Sequence, residues 1–149
     1  MNRPLAIFPL VLLQLLLGVG AVYGGWTLMT DPSVFELNPE WLAGSPFRSY
    51  FFPGLILFLL NGVFPLFICI GLLLKPAWPW ANVFNIYRDR HWAWTYSLFS
   101  GIMLIIWITV QLTMMPSYWL QPAFLGVGIL ILIFTLWPAM MRYYQYAEK

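Results

Sequence analysis

The stretch Ser45-Pro46-Phe47-Arg48-Ser49-Tyr50-Phe51-Phe52-Pro53-Gly54, running on through Asn61-Gly62 to Leu74-Lys75-Pro76, decides the fold. From Phe51 to Leu74 there is no charged residue. About 20 helical residues at 1.5 Å each cross the hydrocarbon core of a bilayer, and this run exceeds that length. A backbone in lipid must satisfy its own hydrogen bonds, so the run is a helix rather than a strand. Ser45 followed by Pro46 carries a helix-start signal, a hydroxyl that can cap free amides and then a proline that lacks the N–H a first turn does not need. Lys75-Pro76 closes the run.

The rest of the chain agrees with this reading. Of its 149 residues, 62% are hydrophobic and 8% charged, whereas soluble domains carry about 25% charged residues. In water such a chain would expose far too much apolar surface. The expected fold class is an all-α membrane protein, a four-transmembrane-helix antiparallel bundle forming a single membrane domain over 1–149. Its spans are expected at about 5–29, 51–74, 94–115 and 122–140, with an outer loop at 30–50 and an inner interfacial loop at 75–93. The first apolar run has Arg3 before it and small residues at Val19-Gly20-Ala21, as a cleavable signal would. It continues through Trp26 to Met29, so a retained span is expected.

Within the first span, Gly20 and Gly24 form a GxxxG pair, and Ala21 and Gly25 repeat the spacing. Small residues four apart let another helix approach closely. Packing inside the bundle is the expected use, and self-association the alternative. In the outer loop, Asn38-Pro39-Glu40 has the form of a capped helical turn, and Phe35, Trp41, Leu42 and Phe47 suit a lid on the membrane surface. In the inner loop, Trp78, Trp80, Phe84, Tyr87 and Trp92 suit the headgroup level.

Charge orients the chain. Arg3, Lys75, Arg88, Arg90, Arg142 and Lys149 fall on one side of a four-span arrangement, and Arg48 alone falls on the other. The positive-inside rule then places both termini in the cytoplasm.

The chemistry such a chain can carry is limited. None of the expected spans contains Asp, Glu, Lys, Arg or His in its interior, which argues against a proton-driven carrier or pump. Gln14, Asn61 and Gln111, with Ser97, Ser100, Thr109, Thr113 and Thr135, are the polar groups within the spans. They are expected to bond between helices as structural glue. The sharper alternative is a pocket opening outward, walled by Tyr23, Trp26, Asn61, Trp107 and Gln111, which would suit a lipid-like or other hydrophobic ligand.

Arg88-Asp89-Arg90-His91 could hold a phosphate or lipid headgroup, with Asp89 and His91 as an acid/base pair. The plainer reading is a solvated basic turn touching anionic lipid. One histidine and one distant cysteine do not make a typical metal site. Cys69 reads as a packing residue, and no cofactor motif occurs. No basic stripe for nucleic acid is present.

Three phrases resemble a known group of proteins. They are Gly24-Gly25-Trp26-Thr27-Leu28-Met29-Thr30-Asp31-Pro32-Ser33, the Ser45-Pro46-Phe47 segment leading to Pro53-Gly54 and Asn61-Gly62, and Ile106-Trp107-Ile108-Thr109-Val110-Gln111. Together they resemble uncharacterised small bacterial four-helix membrane proteins, similar in outline to the DoxX-like family. The resemblance implies four spans in a bacterial inner membrane, and it implies no activity. The expected function is therefore that of a non-enzymatic membrane module. It would bind membrane lipid or another hydrophobic ligand, or assemble with itself or a membrane-protein partner. The alternative is an enzyme or carrier acting on lipid at the cytoplasmic surface through Asp89 and His91.

Overall fold

A computed structural model describes residues 2–146. Lys149, counted above among the basic residues, lies outside them. Apart from one isolated antiparallel bridge between Arg90 and Gln145, the regular structure of the described residues is helical.

Helix α1 is Ile7–Thr30, α2 is Phe51–Leu74 and α3 is Trp92–Met114, and all three are long and apolar enough to cross a membrane. Helix α4 is Leu120–Thr135, shorter but also apolar. A break at Leu136 and Trp137 separates it from α5, Pro138–Tyr143. Pro138 stands at the first turn of α5, where it needs no N–H partner. The sequence marks an unbroken fourth segment at about 122–140, so this break is a difference between expectation and structure.

Outward faces are as apolar as inward ones. On α1, Phe8, Leu12, Leu16 and Val19 are exposed, while Ile7, Leu10, Val11 and Leu17 are buried. A helix hydrophobic on all sides suits the interior of a membrane rather than a water-facing surface.

The long helices pack in a cycle. Helix α1 lies along both α2 and α4, and α3 likewise lies along both α2 and α4. The α1–α2 contact is the closest. A Cβ placed on Gly25 would stand 2.6 Å from the Gly54 carbonyl oxygen and 2.6 Å from the Phe58 amide nitrogen. Only glycine permits that approach.

Helix α2 is not regular throughout. Leu57–Val63 winds as a π-helix, with Asn61 and Gly62 buried in it. Such wide turns occur mostly as single interruptions in α-helices and often at functional sites. The helix opens at Phe51, and no side chain caps it. Ser45 does not start it. Its hydroxyl instead accepts from the Phe47 amide at 3.1 Å and donates to the Leu42 carbonyl at 2.9 Å, holding a local turn. The Ser-Pro signal marks that turn because Phe47-Arg48-Ser49 stays outside the helix, whose first hydrogen bond runs from the Gly54 amide to the Tyr50 carbonyl at 2.9 Å. Asn38 does cap the one-turn helix Pro39–Leu42, accepting from the Glu40 amide at 2.9 Å.

Candidate functional site

Three groups of side chains bear on function. They are a polar relay in the bundle interior, a knot of cations and aromatic rings at one end, and two apolar grooves on the outside.

The interior relay joins three helices. Gln14 on α1 is fully buried. Its Nε2 donates to the Ser97 hydroxyl at 3.1 Å, and its Oε1 accepts from the Ser100 hydroxyl at 2.9 Å. The Ser97 and Thr135 hydroxyls share a hydrogen at 2.8 Å. Ser97 and Ser100 are three apart on α3, so both face the same amide. The relay thus reaches from α1 through α3 to α4. A carboxamide left alone in hydrocarbon costs several kcal/mol. Here both ends of Gln14 are met, so the arrangement acts as structural glue. It contains no group able to take up or release a proton near neutral pH.

The second group lies where the end of α2, the start of α3 and the end of α5 meet. Arg3 donates to the Leu73 carbonyl at 3.0 Å. Lys75 Nζ donates to the Tyr143 carbonyl at 3.0 Å and sits 4.2 Å from the centre of the Tyr143 ring. Arg90 donates to the Met141 carbonyl at 3.0 Å, with its guanidinium 4.6 Å from the Trp94 ring centre. Helix C-termini end in carbonyls without partners and carry partial negative charge, and cations satisfy both needs. Burial pushes the Lys75 ammonium below its ordinary pKa.

His91 caps α3. Its Nδ1 accepts from the Ala93 amide at 3.2 Å, so the ring proton sits on Nε2, which donates to the Pro76 carbonyl at 3.0 Å. The Trp92 indole donates to the same carbonyl at 3.0 Å. Burial is the largest influence on the His91 pKa and lowers it, and the nearby Lys75 charge lowers it further. The bond to Pro76 opposes both. Above His91 runs the segment that follows α5, with the His91 amide donating to the Tyr144 carbonyl at 2.8 Å and the Tyr146 amide to the Asp89 carbonyl at 2.8 Å.

These contacts divide the basic turn. Arg88 and Asp89 are exposed, whereas Arg90 is turned inward and His91 is 4% exposed. Asp89 pairs with Arg90 at 3.4 Å, and His91 spends both ring nitrogens on backbone. The acid/base pair considered from sequence is therefore not assembled, because sequence neighbours in an extended turn point apart. Nor is the turn solvated as a whole. Asn85 went unnoticed in the sequence, yet it is buried, donates to the Arg90 carbonyl at 2.9 Å and accepts from Thr95. An asparagine in a turn is so common that composition gives no signal for this role.

Beside this end, Trp78 and Trp92 stack with Phe67, and Trp80 stacks on Trp78. The Trp78 and Trp92 ring centres are 5.8 Å apart and the Phe67 and Trp92 centres 4.9 Å. The rings read from sequence as headgroup anchors form a packed ladder that fixes the connection between α2 and α3 onto both helices.

The first groove opens sideways between α2 and α3 and has a volume of about 650 Å³. Leu60, Val63, Phe64 and Phe67 form one wall, Tyr96, Phe99 and Met103 the other, and Trp80 and Phe84 cover one end. A second, smaller groove between α1 and α2, of about 410 Å³, includes Tyr23, Trp26 and Phe58.

The five residues considered as one pocket are split by this arrangement. Tyr23 and Trp26 are 63% and 59% exposed on the outside, whereas Asn61 is 2% exposed in the interior. The reason is helical phase. Ala21 and Gly25 face inward on α1, and Tyr23 and Trp26 fall on its outward side. Trp107 is half-buried on α3, with Gln111 one turn beyond it toward the opposite end. Among the glycines, Gly20 is exposed and a Cβ there would meet nothing closer than 4.0 Å, and one at Gly24 nothing closer than 3.5 Å. The tight approach belongs to Gly25 and to Gly18, where an added Cβ would meet Leu66 at 2.6 Å.

Among the described residues, no group of three or more His, Cys, Asp or Glu side chains gathers as metal ligands would. No protein-family model matches the chain, and neither the curated proteins nor the solved structures yield a match.

Proposed function

We propose that this chain is a four-span helical bundle of a bacterial inner membrane and that it works without chemistry of its own, as a module that holds a lipid-like or other hydrophobic molecule. The observation that carries this reading is the lateral α2–α3 groove, almost purely apolar and of a volume usual for small-ligand sites. A groove open to the side is reached from within the bilayer, which favours a molecule already dissolved there.

Helix α4 with α5 supplies the fourth crossing in this proposal. Sixteen residues of α4 rise about 24 Å, and α5 extends the path toward the roughly 30 Å of a hydrocarbon core. Four crossings bring both termini to one side. The meeting of Arg3, Lys75 and Arg90 at one end supports that side as cytoplasmic by the positive-inside rule. The resemblance to small bacterial four-helix proteins of DoxX-like outline supports the choice of membrane. A membrane-protein partner, or a second copy meeting the exposed Gly20 face, is compatible with the same architecture.

The competing reading, an enzyme or carrier working on lipid through Asp89 and His91, has little to support it, since His91 is enclosed and both its nitrogens are engaged. Native mass spectrometry of the protein released gently from detergent tests the proposal. Bound lipid or another apolar molecule is expected on the native chain and is expected to disappear in Val63→Trp, which fills the groove. A bare native chain, or equal loading of the variant, would overturn it. Orientation is tested separately with carboxy-terminal fusions, where a reporter active only in the cytoplasm is expected to work and a periplasmic one to stay silent.

A further inference from the structure

Two shielded side-chain atoms in the structure have no hydrogen-bond partner among the described residues, the Asn61 Oδ1 acceptor and the Trp107 Nε1 donor. Their positions are related. Helices α2 and α3 are antiparallel, and their ends are tied where Trp92 bonds Pro76. At 1.5 Å per residue, Asn61 lies about 20 Å from the Leu74 end of α2, and Trp107 lies about 22 Å from the Trp92 end of α3. Side chains on a helix lean toward its N-terminus, which brings the indole down toward the level of Asn61.

Asn61 belongs to the π-helical segment, and that segment packs against α3. Trp107 continues the face of α3 on which Phe99 and Met103 wall the apolar groove, one turn beyond Met103. The two atoms are opposite in kind, yet no hydrogen bond joins them. What would satisfy both is one atom that accepts from an indole N–H and carries a hydrogen for an amide oxygen. A hydrocarbon offers neither, a carbonyl or carboxylate cannot donate, and an ammonium cannot accept.

We infer that a hydroxyl oxygen binds between Asn61 and Trp107, accepting from Nε1 and donating to Oδ1. The hydroxyl has two sources, water or a long-chain alcohol whose tail lies in the α2–α3 groove. The alcohol source rests on the hydrophobic-ligand reading above, and the water source does not. The irregular turns around Asn61 suit such an occupant, since inserted groups and π-turns interrupt a regular ladder together.

The test is a magnetic-resonance spectrum of the full chain in detergent, isotope-labelled on its tryptophan indoles. Trp107→Phe identifies the Trp107 signal, and the other eight of the nine indoles report on the fold. The Trp107 indole proton is expected at a hydrogen-bonded position and is expected to move in Asn61→Leu. Asn61→Ala, which removes the acceptor without adding bulk, serves if Asn61→Leu disturbs the other indoles. A cross-peak to water assigns the water source. A shift on adding dodecanol but not dodecane assigns the alcohol. A Trp107 signal indifferent to water, to dodecanol and to both Asn61 variants would overturn the inference. The groove is read independently by the Val63→Trp mass spectrum, so loss of the alcohol source alone leaves the site standing on water.

Discussion

Gly25 on α1 rests directly against Gly54 on α2, with backbone rather than side chain filling the space between them. The Gly54 carbonyl oxygen and the Phe58 amide nitrogen would each lie 2.6 Å from a methyl group added at Gly25. Neither atom can swing aside as the end of a flexible side chain could. Gly25→Ala is therefore expected to cost about 1–3 kcal/mol, the usual range for overpacking a tight contact. Gly20→Ala, where the nearest atom is 4.0 Å away, is expected to leave stability unchanged or raise it slightly. Thermal unfolding of both variants in the same detergent checks the pair, and equal losses would refute the assignment of the tight face.

Gln14→Leu removes the hub of the relay while keeping side-chain bulk. Ser97 retains Thr135 as a partner, so the loss is expected to be modest, about 0.6–2 kcal/mol, as for other hydrogen bonds between helices in membranes. Reversible unfolding in mixed micelles measures it. Thr135→Val in the Gln14→Leu background should then cost more than in the native chain, because Ser97 would lose its remaining partner.

His91 gives the protein a direction of pH dependence. Its folded pKa lies below the ordinary value of 6.5 because burial and Lys75 disfavour the charged ring. In that case the unfolded chain binds the proton more readily, and stability rises with pH between the two pKa values. The contribution is complete above about pH 6.5 and is lost as the pH falls through the folded value. Titrating the unfolding midpoint downward from pH 7.5 should show a decline that His91→Asn abolishes. Asparagine can still cap α3, so the helix start survives in that variant. An unchanged slope would show that His91 is not the responsible group.

Tyr144 closes the basic end by donating its hydroxyl to the Leu72 carbonyl. Burial raises its pKa well above the ordinary tyrosine value, so it stays a neutral donor. Tyr144→Phe leaves that carbonyl, whose helical partner position is Pro76 with no N–H, without this donor and is expected to cost about 1–3 kcal/mol. Faster amide exchange around Leu72 and Lys75 would localise the effect, and an undisturbed exchange pattern would contradict it.

The long apolar helices were legible in the sequence because length and absence of charge are enough to specify them. Phe51–Leu74 is one of three long apolar helices, although the helix-start signal at Ser45-Pro46 belongs to a turn outside it. What the sequence could not display was the choice among faces. Gly18, Gly20, Gly24 and Gly25 lie on different sides of α1, and only the position of α2 decides which of them are pressed. The π-turns around Asn61 leave the apolar pattern unaltered, since that run is apolar in every phase. His91 looked solvated because its cover, Tyr144, lies far along the chain. Gln14, Asn61 and the hydroxyls of α3 and α4 were recognisable as groups needing partners. Pairing Gln14 with Ser97 and Ser100 required the packing itself.

The closure at Tyr144 also bears on how the protein is made. Leu72 leaves the ribosome long before Tyr144, so α2 enters its surroundings with the Leu72 carbonyl oxygen not yet met by that hydroxyl. That oxygen is claimed only once a residue 72 positions further along the chain has emerged. A late-arriving clasp of this kind makes a distant, later-made segment the one that locks the earlier helix in place.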